Sequence, residues 1–339
     1  ATGLALLSPE ELDVARWARD TPEPGAFLAN VLAQALQRSG MAPGRIALAG
    51  RLPFGVAHAV LSQLAGEGWS FVSASDALLG IRKYKTGSEL AEIRRVASVT
   101  CQAMRAVAIL LAGASVRGGE LELEGEPLRV ARLKSEIAVL FAGAGVEQPR
   151  GSIVAPGGEG GVPHSSGTPG RTLRAGESLV VDLFPRGALF ADCTRTFCVG
   201  VPPDRLVAAF AAVREALFLA HAAARPGAQG WDLQVAVCEA FAARGYATTL
   251  SHPGTLEGYV HGLGHGVGFE LHELPSFKRQ AEGQGLLEVG DVLTLEPGLY
   301  DPSPADGFGL RLEDLVHLGE SATENLTPLP YELDPRAWL

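Results

Sequence analysis

Apolar and polar positions follow two different rhythms along this chain. Residues 26–38 carry apolar side chains at helical spacing, and residues 45–50 form a short apolar run that reads as a buried strand. Residues 54–64 return to helical spacing, and Ser70–Ser73 reads as a second strand. Helix, strand, helix, strand at this spacing predicts a small α/β domain. Thr86 followed by Glu89 is a capping-box pattern, which predicts a long helix from there to about Leu111. A second helix is predicted over residues 128–142. The domain boundary is placed near Lys83 to Gly87, giving domains of residues 1–84 and 85–339.

From Gly151 onward glycine and proline become dense and the apolar runs shorten to 178–184, Val292–Leu295 and 310–318. Such runs, bounded by turn residues, predict antiparallel strands and hairpins. Helices are predicted over 204–224 and 232–244. The second part is therefore expected to be α+β, with helices packed on an antiparallel sheet. No internal repeat or low-complexity tract is visible.

Composition narrows the class. With 47% hydrophobic and 19% charged residues in 339, the chain can bury a sizeable core and is neither disordered nor fibrous. A formal net charge of -10 argues against a nucleic-acid partner. Cys101, Cys193, Cys198 and Cys238 form no CxxC and no disulfide framework, so four reduced thiols and a cytoplasmic location are expected. The opening ATGLALLSPEELD has no basic stretch leading into an apolar one, so no leader is expected. The apolar run 106–114 is too short to span a bilayer, so no membrane partner is expected.

The candidate chemistry lies in four stretches. In VVDLFPRGALFADCTRTF, Asp182 and Asp192 flank a segment containing Pro185 and Gly187, which fits a hairpin that brings the two carboxylates together. Either aspartate alone would also fit an exposed turn; a buried pair requires a cation or protons. In YVHGLGHGVGFELHELP, His261, His265 and His272 alternate with glycines that allow close backbone approach. Four of the chain's eight histidines fall between His252 and His272, and clustered imidazoles suit metal binding or acid–base work. Glu296 follows an apolar strand and precedes Pro297 and Gly298, which predict a turn. In GLRLEDLVHL, strand alternation puts Arg311 and Glu313 on one face; alone they would also fit a surface ion pair on an edge strand. Four carboxylates with one or more imidazoles and no thiolate suit a pair of divalent ions such as Mn, Co or Zn. Such a pair lowers the pKa of a water and polarises a carbonyl.

The order Asp, Asp, His, Glu, Glu, with the strings DCTRTF, HGLGHGVG, HE, EPG and RLED, resembles the pita-bread metallopeptidases from about Lys85 to Leu339. The preceding α/β region and the linker RKYKTGSELAEI look like the prolidase and aminopeptidase P branch. The resemblance implies a pita-bread catalytic domain with two divalent metal ions, Mn foremost and Zn or Co as alternatives. It implies that Asp182 chelates one metal, that Asp192 and Glu313 bridge both, and that His265 and Glu296 hold the other. Glu296 would also shuttle a proton. His261 and His272 would line the substrate site, with His272 near the scissile carbonyl, and His164 and Arg311 would be further substrate-side residues.

The expected activity is hydrolysis of the bond before proline in Xaa-Pro dipeptides, or in longer peptides if the chain is an aminopeptidase P, and a homodimer is expected. A metal-free enzyme of this fold is disfavoured because all five ligand positions are filled. A non-catalytic peptide-binding module is disfavoured because such a module would lose ligands. Dipeptide selection needs a cation for the C-terminal carboxylate. Arg51 directly follows the strand predicted at residues 45–50 and is the candidate, with Arg45 second.

Overall fold

A computed structural model describes residues 6–279 and 283–339; residues 1–5, part of the N-terminal stretch read for a leader, lie outside the described residues. The chain forms two compact units, Ala1–Ile81 and Arg82–Leu339. The first begins with helices α1 (Val14–Asp20) and α2 (Pro24–Arg38). It continues through strand β1 (Arg45–Leu48), α3 (Phe54–Gly66) and β2 (Ser70–Ser73) into α4 (Ser75–Lys83). β1 and β2 pair in parallel from Arg45↔Ser70 to Leu48↔Ser73. Ala29, Val60, Leu64 and Trp69 form the small core of this unit. The sequence reading missed α1 and α4. α1 has no buried residue, so no apolar stripe marked it.

The second unit opens on α5 (Gly87–Ala112), capped as expected: the Thr86 hydroxyl accepts from the Glu89 N–H while the Glu89 carboxylate accepts from the Thr86 N–H. Next come β3 (Ser115–Arg117), β4 (Glu120–Leu123) and β5 (Glu126–Pro127), which form a small sheet, and then α6 (Val130–Gly143). Beyond it lie β6 (Ile153–Pro156), the one-turn α7 (Gly157–Gly160), β7 (Leu179–Leu183) and β8 (Cys193–Phe197). After α8 (Asp204–Ala223) and α9 (Gly230–Ala242) the rest is mostly strand. These strands are β9 (His265–Gly266), β10 (Glu273–Ser276), β11 (Val292–Leu295), β12 (Gly298–Asp301), β13 (Phe308–Arg311), β14 (Asp314–Leu318) and β15 (Thr323–Asn325). One sheet runs β10-β9-β11-β14-β15, β12 pairs with β13, and β6-β7-β8 form a third sheet.

Two hydrophobic cores explain why the apolar runs are continuous. One contains α5 and α6 residues with Val181, Leu183, Cys193, Val292 and Leu315. The other contains α8 and α9 residues with Leu293, Leu295, Leu310, Leu312 and Val316. β11 and β14 therefore bury both faces, which a run of apolar residues without alternation also suggests. α5 and α8 are long and apolar enough to cross a membrane by length and composition, but their apolar faces fill these cores.

One strand expectation needs correcting. The 310–318 run is two strands, with Leu312 and Glu313 between them; β13 pairs with β12, whereas β14 pairs with β11. Arg311 and Glu313 are thus not two positions on one exposed face. Both are buried, at 3% and 2% exposure, and the Arg311 guanidinium pairs with Asp182.

Candidate active site

The hairpin predicted between the two aspartates is present. β7 and β8 pair antiparallel, with Asp182 opposite Thr194 and Leu183 opposite Cys193, so Asp192 lies just past the paired end beside Asp182's strand. Asp182 is inside β7, every residue of which is buried. His265 arrives on β9, whose Gly266 pairs with both Leu293 and Glu273. A Cβ at Gly264 would run into the Thr294 carbonyl, so glycine is required for this close approach. Glu296 and Glu313 sit at the mouths of the β11–β12 and β13–β14 connections.

Asp192, His265 and Glu313 each offer a ligand atom, and these atoms lie within 4.8 Å of one another. Glu296 adjoins them, with its Oε1 3.3 Å from His265 Nε2, and Asp192 Oδ2 lies 3.7 Å from the same nitrogen. Hydrogen bonds fix the orientations. Thr194 Oγ1 donates to Glu313 Oε2 at 2.7 Å, Arg311 Nε donates to Thr194 Oγ1 at 3.0 Å, and Thr294 Oγ1 donates to Glu296 Oε1 at 3.2 Å.

The electrostatics are unfavourable as they stand. Burial, followed by the charges of Glu313 and Asp182, pushes Asp192 well above the usual carboxylate range. Burial and its acidic neighbours do the same to Glu313, and burial raises Glu296 to about 8. Burial drives His265 down to about 3, so its ring is neutral near pH 7. His265 Nδ1 lies 3.1 Å from the Gly266 carbonyl, which only accepts. The proton is therefore on Nδ1, and the Nε2 lone pair faces two carboxylates. Asp182 Oδ1 and Asp192 Oδ1 are buried without a hydrogen-bond partner among the described residues. Lone pairs converging on one buried point, with unsatisfied oxygens and a ligand-ready imidazole, fit a divalent cation.

The cluster's charge makes a prediction for metal-free protein. Between about pH 7.5 and 9 a histidine such as His265 is neutral folded or unfolded, while the raised carboxylates hold protons only in the folded state. Fewer protons bound in the unfolded state means stability falls as pH rises through that window. Melting of chelator-treated protein is expected to drop from about pH 7.5 to 9, while the increment from added metal grows, because metal displaces those protons. Scanning fluorimetry at each pH with and without metal checks both slopes; an increment that shrinks with pH contradicts the arrangement.

The remaining candidates surround this cluster. His272 immediately precedes Glu273, the cross-strand partner of Gly266, so its ring stands edge-on to that of His265, centroids 4.2 Å apart. It is exposed, as is His164 on the loop after α7. His164 acts electrostatically on both His261 and His272. The partly buried His261 has both nitrogens engaged: Nδ1 lies 2.7 Å from the Gly262 carbonyl and Nε2 lies 2.8 Å from the Tyr300 hydroxyl. Arg311 Nη1 donates to that hydroxyl at 2.8 Å. The chain of donors then runs Arg311 to Tyr300 to His261 to the backbone. Arg51 belongs to the first unit, on the exposed segment after β1; the cluster itself is built wholly from the second.

Sequence reasoning missed Tyr300 and the pair Arg195–Asp314. Arg195 is fully buried, with Nη1 donating to the Glu313 carbonyl at 2.6 Å and Nη2 donating to Asp314 Oδ1 at 2.7 Å. The available signal was charge of opposite sign in two strand-like runs, at Arg195 in β8 and Asp314 in β14.

Comparison with known proteins now decides the family. Residues 91–320 match the model of metallopeptidase family M24. The chain belongs to that family. An Xaa-Pro dipeptidase of Pyrococcus furiosus is 30% identical to the M24 chain over 268 residues, covering 78% of this chain and 68% of the relative. The prolidase structure from Pyrococcus horikoshii OT3 superposes with a TM-score of 0.71 at 25% identity, covering 86% of this chain and 76% of that one. The X-Pro aminopeptidase of Thermotoga maritima MSB8 reaches 0.71 at 25% identity, covering 90% and 78%. The resemblance to pita-bread metallopeptidases and the α+β class are borne out. A metallopeptidase family calls for a divalent metal, and the Asp192–His265–Glu313 cluster offers it a site.

Proposed function

We propose that the chain is a dinuclear Xaa-Pro peptidase that hydrolyses the bond before proline, and specifically a prolidase. The observation that carries this reading is the convergence of Asp192, His265 and Glu313 on one buried point, flanked by Asp182 and Glu296, in a chain similar to Xaa-Pro dipeptidases. Asp182, Asp192, His265, Glu296 and Glu313 would hold two divalent ions, with Mn foremost and Zn or Co as alternatives. Bound there, the metals would supply Lewis-acid polarisation of the scissile carbonyl and an acidified water.

The protein's own groups do the rest. Glu296, whose Oε1 lies 3.3 Å from His265 Nε2 at the edge of the cluster, takes the proton of the attacking water and returns it to the departing proline nitrogen. His272, neutral and exposed beside the cluster, donates its N–H to the developing oxyanion. Arg311 neutralises Asp182 and, through Tyr300, holds His261 with its ring set toward the substrate. His164 adds a donor at the substrate side. A homodimer in the cytoplasm completes the reading, and the four free thiols support the location.

Cleavage of Ala-Pro and of a tripeptide beginning Ala-Pro, side by side with Mn, Zn or Co, tests the activity. No cleavage of either substrate with any metal would refute it. The prolidase assignment expects the dipeptide to be preferred, whereas preference for the tripeptide makes the chain an aminopeptidase P. If Arg51 supplies the cation for the dipeptide's carboxylate, Arg51→Ala shifts the ratio of kcat/KM values toward the tripeptide by roughly ten-fold or more, since the charge-assisted bond is made with the dipeptide's carboxylate and not with a tripeptide's amide. An unchanged ratio removes Arg51 from the role.

A further inference from the structure

His265 and His272 are brought side by side by a short β-hairpin. β9 and β10 pair at Gly266↔Glu273, and residues 267–272 form the connection. His265 is held by the cluster and by β11, but the exposed His272 takes no hydrogen bond on its ring among the described residues. Its position must be set through the backbone of its own segment. Strand alternation sends the next side chain, Glu273, to the opposite face. There it meets Lys85 in a pair with no solvent exposure on either side chain, Nζ to Oε2 3.3 Å.

This pair is fully satisfied. The Lys85 ammonium also donates to the carbonyls of Arg82 at 2.7 Å and Lys83 at 3.3 Å, which uses its three hydrogens. The other Glu273 oxygen accepts from the Glu270 N–H at 3.0 Å, closing the hairpin connection on itself. Lys85 directly precedes Thr86, the N-cap of α5, whose capping box and long buried face fix it to the larger core. Gly268 completes the fit: a Cβ there would collide with Glu273 Oε2 and lie 2.8 Å from Lys85 Cε. The Gly268 carbonyl in turn accepts from the Phe190 N–H at 2.8 Å, on the tip of the aspartate hairpin.

We infer that Lys85 and Glu273 are positioning residues for His272: the buried pair ties the β9–β10 connection to the start of α5 and so fixes the imidazole against the reacting carbonyl. A buried ion pair is weak evidence for stability alone, because its desolvation offsets much of its attraction, whereas its fixed directional bonds specify geometry. The inference rests on the role proposed above for His272.

The test replaces both partners, Lys85→Met with Glu273→Gln, so that no uncompensated charge is left buried and the Glu270 N–H keeps an acceptor. The folded, metal-loaded double variant is expected to keep its metal content and its KM for Ala-Pro within about three-fold, while kcat falls about 10–100-fold. Adding His272→Ala to it is then expected to cost less than about three-fold further, because the two changes remove one interaction. Wild-type kcat in the double variant, or losses that multiply, would overturn the inference by showing that the pair only supports the fold. Should that variant not fold, Gly268→Ala displaces the pair while keeping both charges; the same fall in kcat at unchanged metal content is expected, and wild-type kcat again overturns it. If His272→Ala alone leaves kcat unchanged, the role of His272 has failed, which the single variant reports separately.

Discussion

Asp192→Ala or Glu313→Ala is expected to abolish turnover and to strip metal from the protein. Each carboxylate is buried, at 4% and 2% exposure, and each is one of three residues whose ligand atoms converge within 4.8 Å. Removing either takes a donor from the point where the lone pairs converge and leaves four residues, too few to hold two dications against water. Groups that act as a unit fail together, so a loss on the order of 10⁴-fold or more in kcat/KM is expected for either change. Metal analysis after desalting reads the other half of the prediction. Two tightly held ions with near-normal activity in either variant would sink the assignment. A control separates this from misfolding. Glu313→Gln keeps the shape and the bond from Thr194 Oγ1. It also relieves the desolvated like charges that push Asp192 and Glu313 upward. Its metal-free form should melt no lower than metal-free wild type, while the stabilisation by added metal is lost.

The sequence made this site legible to an unusual depth in some places and not in others. Asp182, Asp192, Glu296 and Glu313 were conspicuous because a carboxylate within or at the end of an apolar run violates the burial pattern around it. The histidines were conspicuous through clustering and their glycine neighbours. The element types were read well where a stripe or a cap marks them, as in α5 with its Thr86–Glu89 box. The break at Leu312–Glu313 was not legible, because the alternation of Leu310, Arg311, Leu312 and Glu313 runs through it and nothing local marks the change of strand partner. Tyr300 was hidden for a related reason. A tyrosine in a buried strand reads as core until its hydroxyl is seen between Arg311 and His261. Lys85 and Glu273 are 188 positions apart, and no local pattern reports a pairing at that separation.

His272→Ala is expected to keep its metals and to lose most of its rate. The ring stands at 87° to His265 with centroids 4.2 Å apart, which places it beside the cluster without making it one of the three converging ligands. Partial desolvation against the cluster, followed by the charge of Arg150, lowers its pKa although the ring reaches solvent, so it stays neutral near pH 7 and carries one N–H. A neutral donor aimed where charge develops contributes most in the transition state, and losing one such donor typically costs ~10²–10³ in kcat. KM for Ala-Pro should move little, since the ground-state carbonyl is a weaker acceptor than the oxyanion. His272→Gln retains an N–H on a side chain of similar reach and should recover part of the loss, whereas His272→Phe, matched in size but without a donor, should not. Loss of metal in place of rate would make His272 a ligand. A KM effect with kcat intact would make it a binding residue whose hydrogen bond forms with the bound peptide and does not strengthen as the carbonyl becomes tetrahedral.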